Sequence, residues 1–376
     1  MSAPSRPVGR PADPHELLVP ITLELSPIRR LLIIDIADDP TYRTLEPQVL
    51  GGAGKDVLVL LAYRHDGYVE LYAPTGGDVD PSGYDGLGKG LHGLHHAPFD
   101  LARFEVDDDG LHLELALAAS NGRRFDLRMH EHLAGRRDRF PVLAPVGGAF
   151  DTPAFFPFLW LPGMSFVPVR GTEVGVRVDG QVRSIPRLPL PIGGRRCLMA
   201  RYDPDVLVCQ LNPDSVRVAP RVPVPGTQGP AGPDVDIVEA HEGFAITAIR
   251  VGRGGHTCAV RLDPPLPDLR SLPAHSHRSG AILLEADDAT QLRGRYELDR
   301  AADRVDLVIE SFGPWRTRLR RPLLALLFRL PIFRRWPMTY RWQATLELDG
   351  SPQGRLASRW TRRPAGPPWA QRRSKR

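Results

Sequence analysis

The chain has 376 residues, 42% hydrophobic and 25% charged, with a mean hydropathy of −0.24. These values fit a globular protein of two or three domains and exclude wholesale disorder, a collagen-like repeat and a polytopic membrane protein. The formal charge of +5 is unevenly divided: residues 316–376 hold sixteen basic and two acidic residues, a charge of +14, which leaves −9 on the remaining 315 residues.

In chain order, residues 1–30 read as a lead-in, because Met1 to Pro14 contains Pro and Ser but no apolar run of the kind a secretory signal needs. From Leu31 the chain becomes short apolar runs separated by Gly, Pro and Asp clusters, which predicts strands. Predicted strands at 57–63 and 68–73 flank Arg64-His-Asp-Gly67, and those at 101–106 and 111–118 flank Asp107-Asp-Asp-Gly110. A strand at 124–132 follows Ser120-Asn-Gly122, a hairpin at 173–185 turns at Asp179-Gly180, and strands at 196–202 and 206–211 close a first domain over 31–211. Residues 212–233 hold six prolines and three glycines and read as a linker. A second domain over 234–362 follows, with strands predicted at 235–239, 244–251, 257–262, 281–286, 292–298, 305–309, 339–348 and 356–360 and an apolar insertion at 315–336. Residues 363–376, ending Arg372-Arg-Ser-Lys-Arg376, read as a basic disordered tail.

The expected fold class is therefore all-β: two antiparallel β-barrel or sandwich domains with few short helices. Two such domains joined by a Pro/Gly-rich stretch resemble the double lipocalin-like architecture of the AttH and hydroxyneurosporene synthase (carotenoid hydratase) family. The resemblance is one of organisation over residues 30–362. It implies a cavity for a hydrophobic molecule and carries no catalytic residue onto this chain.

Two apolar features stand apart from the strand pattern. Phe155, Phe156, Phe158, Trp160, Met164 and Phe166 lie in a stretch interrupted by Pro157, Pro162 and Pro168, a poor central strand; it reads as a core plug or, with Tyr84, as the lining of a pocket for an apolar ligand. The second is the run from Leu323 to Phe333, too short to span a bilayer, which takes about 20 apolar residues. Leu323, Leu324, Leu327 and Phe328 are collared by Arg318, Arg320, Arg321, Arg334 and Arg335, with Trp336 beyond. That pattern suits either a buried core segment or insertion at an anionic membrane surface. Tryptophans 315, 336, 342, 360 and 369 cluster in or beside the basic end, a pairing shared by membrane interfaces and nucleic-acid grooves.

Histidines supply the candidate chemistry. His130 and His132 are two apart on a predicted strand and so share a face. With His95 they form an acid/base set, and joined by His95 or His96 they offer a divalent-metal set, Zn²⁺ or Fe²⁺, in which His92 and His96 are the candidate metal residues. Glu131 is expected to point the other way. No organic cofactor is expected. Cys197, Cys209 and Cys258 form no CxxC pair, which fits a cytoplasmic protein. The reading is a binder of a hydrophobic or amphiphilic small molecule of lipid, isoprenoid or polyketide type, at or near an anionic membrane. The alternatives are a hydratase, isomerase or cyclase acting on such a molecule, and a nucleic-acid-binding module.

Overall fold

The structure, a computed structural model, describes residues 16–52, 55–84, 86–132, 139–146, 150, 153–213, 216–218, 221–223, 234–240, 243–287, 290–310, 312–314, 316–317, 335–348 and 354–362. The strands are, first, β1 (Glu16–Leu18), β2 (Leu23–Leu25), β3 (Ile28–Asp35), β4 (Tyr42–Leu50), β5 (Val57–Arg64), β6 (Val69–Pro74), β7 (Leu91–Ala97), β8 (Phe99–Val106), β9 (Leu111–Ala118) and β10 (Arg124–Glu131). Then come β11 (Phe140–Ala144), β12 (Phe156–Pro168), β13 (Thr172–Val178), β14 (Gln181–Val182), β15 (Cys197–Asp203), β16 (Leu207–Leu211), β17 (Val216–Val218) and β18 (Arg221–Pro223). The last are β19 (Asp234–Ala240), β20 (Gly243–Arg253), β21 (His256–Pro267), β22 (His277–Ala286), β23 (Thr290–Arg300), β24 (Arg304–Glu310), β25 (Arg316–Thr317), β26 (Tyr340–Glu347) and β27 (Arg355–Arg362). Two 3₁₀ turns, Pro81–Tyr84 and Trp336–Thr339, are the helical elements among the described residues. The protein is all-β, and no described helix is long and apolar enough to cross a membrane.

The chain divides into two compact units: residues 25–153 with 158–208, and residues 1–24 with 154–157 and 209–376. In the first, a five-stranded sheet ordered β14-β13-β10-β9-β8 faces a larger sheet whose path includes β12-β15-β3-β4-β5-β6-β7, with β11 on β12. Strict alternation makes the smaller sheet two-sided. Leu111, Leu113, Leu115 and Leu117 of β9 are buried, whereas His112, Glu114 and Ala116 alternate outward. The buried row packs with Phe125, Leu127 and Met129 against Leu32, Ile34, Leu58, Leu60 and Tyr42 of the larger sheet. Each fully buried leucine contributes about 1.5–3 kcal/mol. The β8–β9 turn is fixed by Asp107, whose carboxylate accepts the Asp109 and Gly110 N–H groups at 2.8 and 3.0 Å. Gly110 is required there: a Cβ on it would meet the Glu131 Cβ at 2.5 Å.

The second unit contains an antiparallel meander, β19 through β24 followed by β26 and β27, with β17 added beyond β27. All eight strands expected after residue 234 are present. Their inward faces bury Ile246, Val260, Leu284, Leu298, Leu307 and Leu346. Around Phe156 stands an aromatic cluster: its ring lies 4.6 Å from Phe312, 5.4 Å from Trp336, 5.0 Å from Tyr340 and 5.7 Å from Trp360.

Three expectations need correction. The lead-in is ordered from Glu16, because Leu17, Leu18, Val19 and Ile21 are apolar and become buried. The linker contains β17, paired with β27, and β18, paired with β1, so its Val-rich pieces enter sheets between the prolines. The Phe-rich stretch is a 13-residue strand, β12, rather than a chain of turns. Pro162 and Pro168 fall where pairing is irregular: the register with β11 shifts across Pro162 and Gly163, and that with β15 shifts before Pro168.

Candidate functional site

The most ligand-like arrangement lies in the first unit, on the face of the larger sheet that points away from the five-stranded sheet. Along β4, Leu45 and Val49 belong to the inter-sheet core, and alternation sends Glu46 and Gln48 to the other face. Strand register then sets the neighbours. Phe166 pairs with Arg201, Arg201 with Ile33, and Glu46 with Leu61. Because Ile34 pairs with Leu45, Ile33 stands beside Glu46, which gives a row across five strands: Phe166, Arg201, Ile33, Glu46, Leu61.

Glu46 is buried, and its carboxyl accepts a hydrogen bond from the Gln48 amide at 2.7 Å. Tyr84 in turn donates to the Gln48 carbonyl at 3.1 Å, and Tyr63 also hydrogen-bonds Glu46. Burial pushes the Glu46 carboxyl above its ordinary value, against the opposing pull of Gln48, Arg201 and Tyr63. Burial likewise raises the Tyr63 and Tyr84 phenols, so both remain protonated donors. Arg201 is neutralised by Asp35 at 2.9 Å, and Asp35 also accepts from Thr44 at 3.0 Å. Around this polar centre Ile33, Tyr63, Phe166 and Met199 are half-buried, and Phe140 stacks on Phe166 with centroids 6.1 Å apart. A buried acid with a raised pKa, two phenols and a neutral ion pair thus adjoin partly exposed apolar side chains.

On the opposite face of the same sheet, Glu70 has the contrary environment. It accepts from the Tyr42 hydroxyl at 2.5 Å, the Tyr72 hydroxyl at 2.6 Å and the Arg64 guanidinium at 2.8 Å. Burial alone would raise its pKa; the three donors outweigh it and hold the carboxyl below its ordinary value. Every oxygen of this group is engaged, so it works as a polar brace. A separate open cleft of about 410 Å³ lies on the outward face of the second unit, lined by Asp306, Val308, Gln343, Thr345, Ala357 and Arg359.

The structure places the sequence-derived residues as follows. Tyr84 and Phe166 belong to the Glu46 face, and Met164 is buried in β12 opposite Phe140. Phe158 and Trp160 are buried in the first unit, whereas Phe155 and Phe156 belong to the second. The proposed acid/base set does not converge: His95 stacks on Tyr72 at 5.0 Å with Asn121 at 3.3 Å, on another sheet from His130 and His132. His130 and His132 do share the outward face of β10, and Glu131 points into the core, where it accepts from Tyr202 at 2.9 Å. His92 is exposed with its Nδ1 3.5 Å from Glu70, and His96 is exposed four residues along; among the described residues no three His, Cys, Asp or Glu side chains form a metal-ligand shell.

Of the membrane-surface set, Arg318, Arg320, Arg321, Leu323, Leu324, Leu327, Phe328 and Arg334 lie outside the described residues. Arg335 is exposed, but Trp336 is 2% exposed and packs on Phe156, so its ring serves the core of the second unit and not a surface. Trp342 and Trp360 are buried there too. Sequence reasoning missed Glu46, Gln48 and Tyr63, although Glu46 and Gln48 interrupt the otherwise apolar run from Leu45 to Leu50 and so signal partnered polar groups. No protein-family model matches the chain, and no curated protein matches it.

Proposed function

We propose that the first unit binds an amphiphilic small molecule of isoprenoid, lipid or polyketide type at the Glu46 face. The apolar part lies along Phe140, Phe166 and Ile33, and a neutral hydroxyl or carbonyl head meets Glu46 and Tyr63. The observation that carries this reading is a buried glutamic acid, hydrogen-bonded to Gln48 and raised in pKa by burial, beside a half-buried apolar rim. A neutral acid donates a hydrogen bond to a carbonyl or hydroxyl oxygen, whereas an ionised one would repel a carboxylate head. The +14 carboxy-terminal stretch supports a docking role at an anionic membrane surface, from which such a ligand would be drawn. Cytoplasmic residence fits three buried cysteines with no disulfide among the described residues.

The raised pKa of Glu46 also favours a second reading, a hydratase or isomerase in which Glu46 protonates a carbon–carbon double bond. Organic extraction of the purified chain and of a Glu46→Gln variant, followed by mass spectrometry, tests the first reading. A copurifying neutral amphiphile present in the wild type and depleted in the variant supports it; equal recovery from both overturns it. Deuterium incorporation into the recovered molecule in heavy water, lost in Glu46→Gln, would select the enzymatic reading.

A further inference from the structure

On the outward face of the five-stranded sheet, His112 of β9 and His130 of β10 are register partners. Their Nδ1 atoms face each other 3.5 Å apart. Each ring presents its other nitrogen to a carboxylate: His112 Nε2 lies 3.4 Å from Asp107, and His130 Nε2 lies 3.5 Å from Glu114. With each Nε2 turned to a carboxylate, the two Nδ1 atoms converge on one point, where a cation would have both as ligands. Two metal–imidazole bonds of about 2.0–2.1 Å at a near-tetrahedral angle separate their nitrogens by about 3.3–3.4 Å. The carboxylate–imidazole pairing is also the outer-shell pattern that fixes metal-ligating histidines.

The rest of the row fits the same chemistry. Glu105 pairs with His112 on one side and Glu173 with His130 on the other, so the sheet presents carboxylate, imidazole, imidazole, carboxylate in one line. Glu105 is held by Arg103 at 2.7 Å, whereas Glu173 is exposed and makes its closest charged contact with His132 at 3.6 Å. We propose that His112 and His130 bind a borderline divalent cation, Zn²⁺ or Cu²⁺, through their Nδ1 atoms, with water completing the shell. A pair of imidazole nitrogens suits these ions over Mg²⁺ or Ca²⁺. Of the metal set expected from the sequence, His130 alone takes part, and His112 replaces His132, His92 and His96.

The test is calorimetric titration of the full chain, freed of any affinity tag, with ZnCl₂, and electron paramagnetic resonance with Cu²⁺. One-to-one binding is expected, with two nitrogen ligands in the Cu²⁺ spectrum. His112→Ala and His130→Ala each weaken binding at least tenfold, Asp107→Asn weakens it about tenfold through the outer shell, and His132→Ala leaves it unchanged. Circular dichroism establishes that the variants are folded; His112→Gln and His130→Gln replace any alanine variant that is not. Stoichiometric binding that survives both histidine substitutions, or no binding up to millimolar metal, overturns the proposal.

Discussion

Glu46 and Glu70 lie on opposite faces of one sheet, on strands separated only by β5, and their surroundings drive the two carboxyls in opposite directions. Glu46 has an amide and a phenol beside it and is raised by burial. Glu70 has two phenols and a guanidinium and is lowered. Such divergence within a few strands separates a group suited to meeting a neutral ligand from one suited to bracing the fold.

The two glutamates therefore give stability–pH profiles of opposite sign. Glu46, raised in the folded state, contributes stability that is fully present below its ordinary value of 4.5 and is lost as pH rises through the folded value. Urea unfolding of wild type and Glu46→Gln should show the variant gaining on the wild type as pH increases above 4.5. A gap that does not change with pH would contradict the assignment.

Glu70 is the reverse case. Its contribution is present above 4.5 and disappears as pH falls through the lowered folded value. Glu70→Gln should cost about 2–4 kcal/mol at pH 7, since it replaces the charged acceptor of two buried phenols and removes one of the two carboxylates on Arg64, which keeps Asp66. That penalty should shrink on acidification, and Tyr72→Phe should cost about 1 kcal/mol.

Phe156 packs against four aromatic rings in the second unit. Phe156→Ala should destabilise that unit by about 3–5 kcal/mol through the lost contacts and the cavity. Tryptophan fluorescence during denaturation would detect it through Trp336, Trp342 and Trp360. An unaltered midpoint would show that the cluster is not cohesive.

The membrane proposal is checked by co-sedimentation with neutral and anionic vesicles. Anionic vesicles should retain the chain at low salt and release it as salt rises, because residues 316–376 carry the +14 charge. A folded Leu323→Glu/Leu327→Glu variant should bind less. Indifference of the wild type to every vesicle would remove the membrane from the account.

Much of the fold was legible because strand alternation is a local signal. Leu111 to Ala118 alternates cleanly, and the structure buries the apolar half. β12 was not legible: Pro157, Pro162 and Pro168 argued against a strand, and only the register shifts beside Pro162 and Pro168 show how a sheet accommodates those two. Buried tryptophans were misleading for a related reason, since Trp336 looks interfacial beside arginines until Phe156, 180 residues away in sequence, covers it. The Glu46 site depends on strand neighbours far apart in sequence, Arg201 and Phe166 among them, which no local pattern pairs. His112 opposite His130 was within reach, because the turn that pairs Ala118 with Arg124 fixes every later pair of that hairpin.

The central claim is that the Glu46 face holds a neutral amphiphile. Its most direct test is displacement of a bound apolar fluorophore, 1-anilinonaphthalene-8-sulfonate, by farnesol, with wild type, Glu46→Gln and Phe166→Glu compared at pH 7. The account predicts saturable displacement by the wild type and at least a tenfold weaker response from each folded variant. Equal displacement from all three proteins, or none from the wild type, would contradict it.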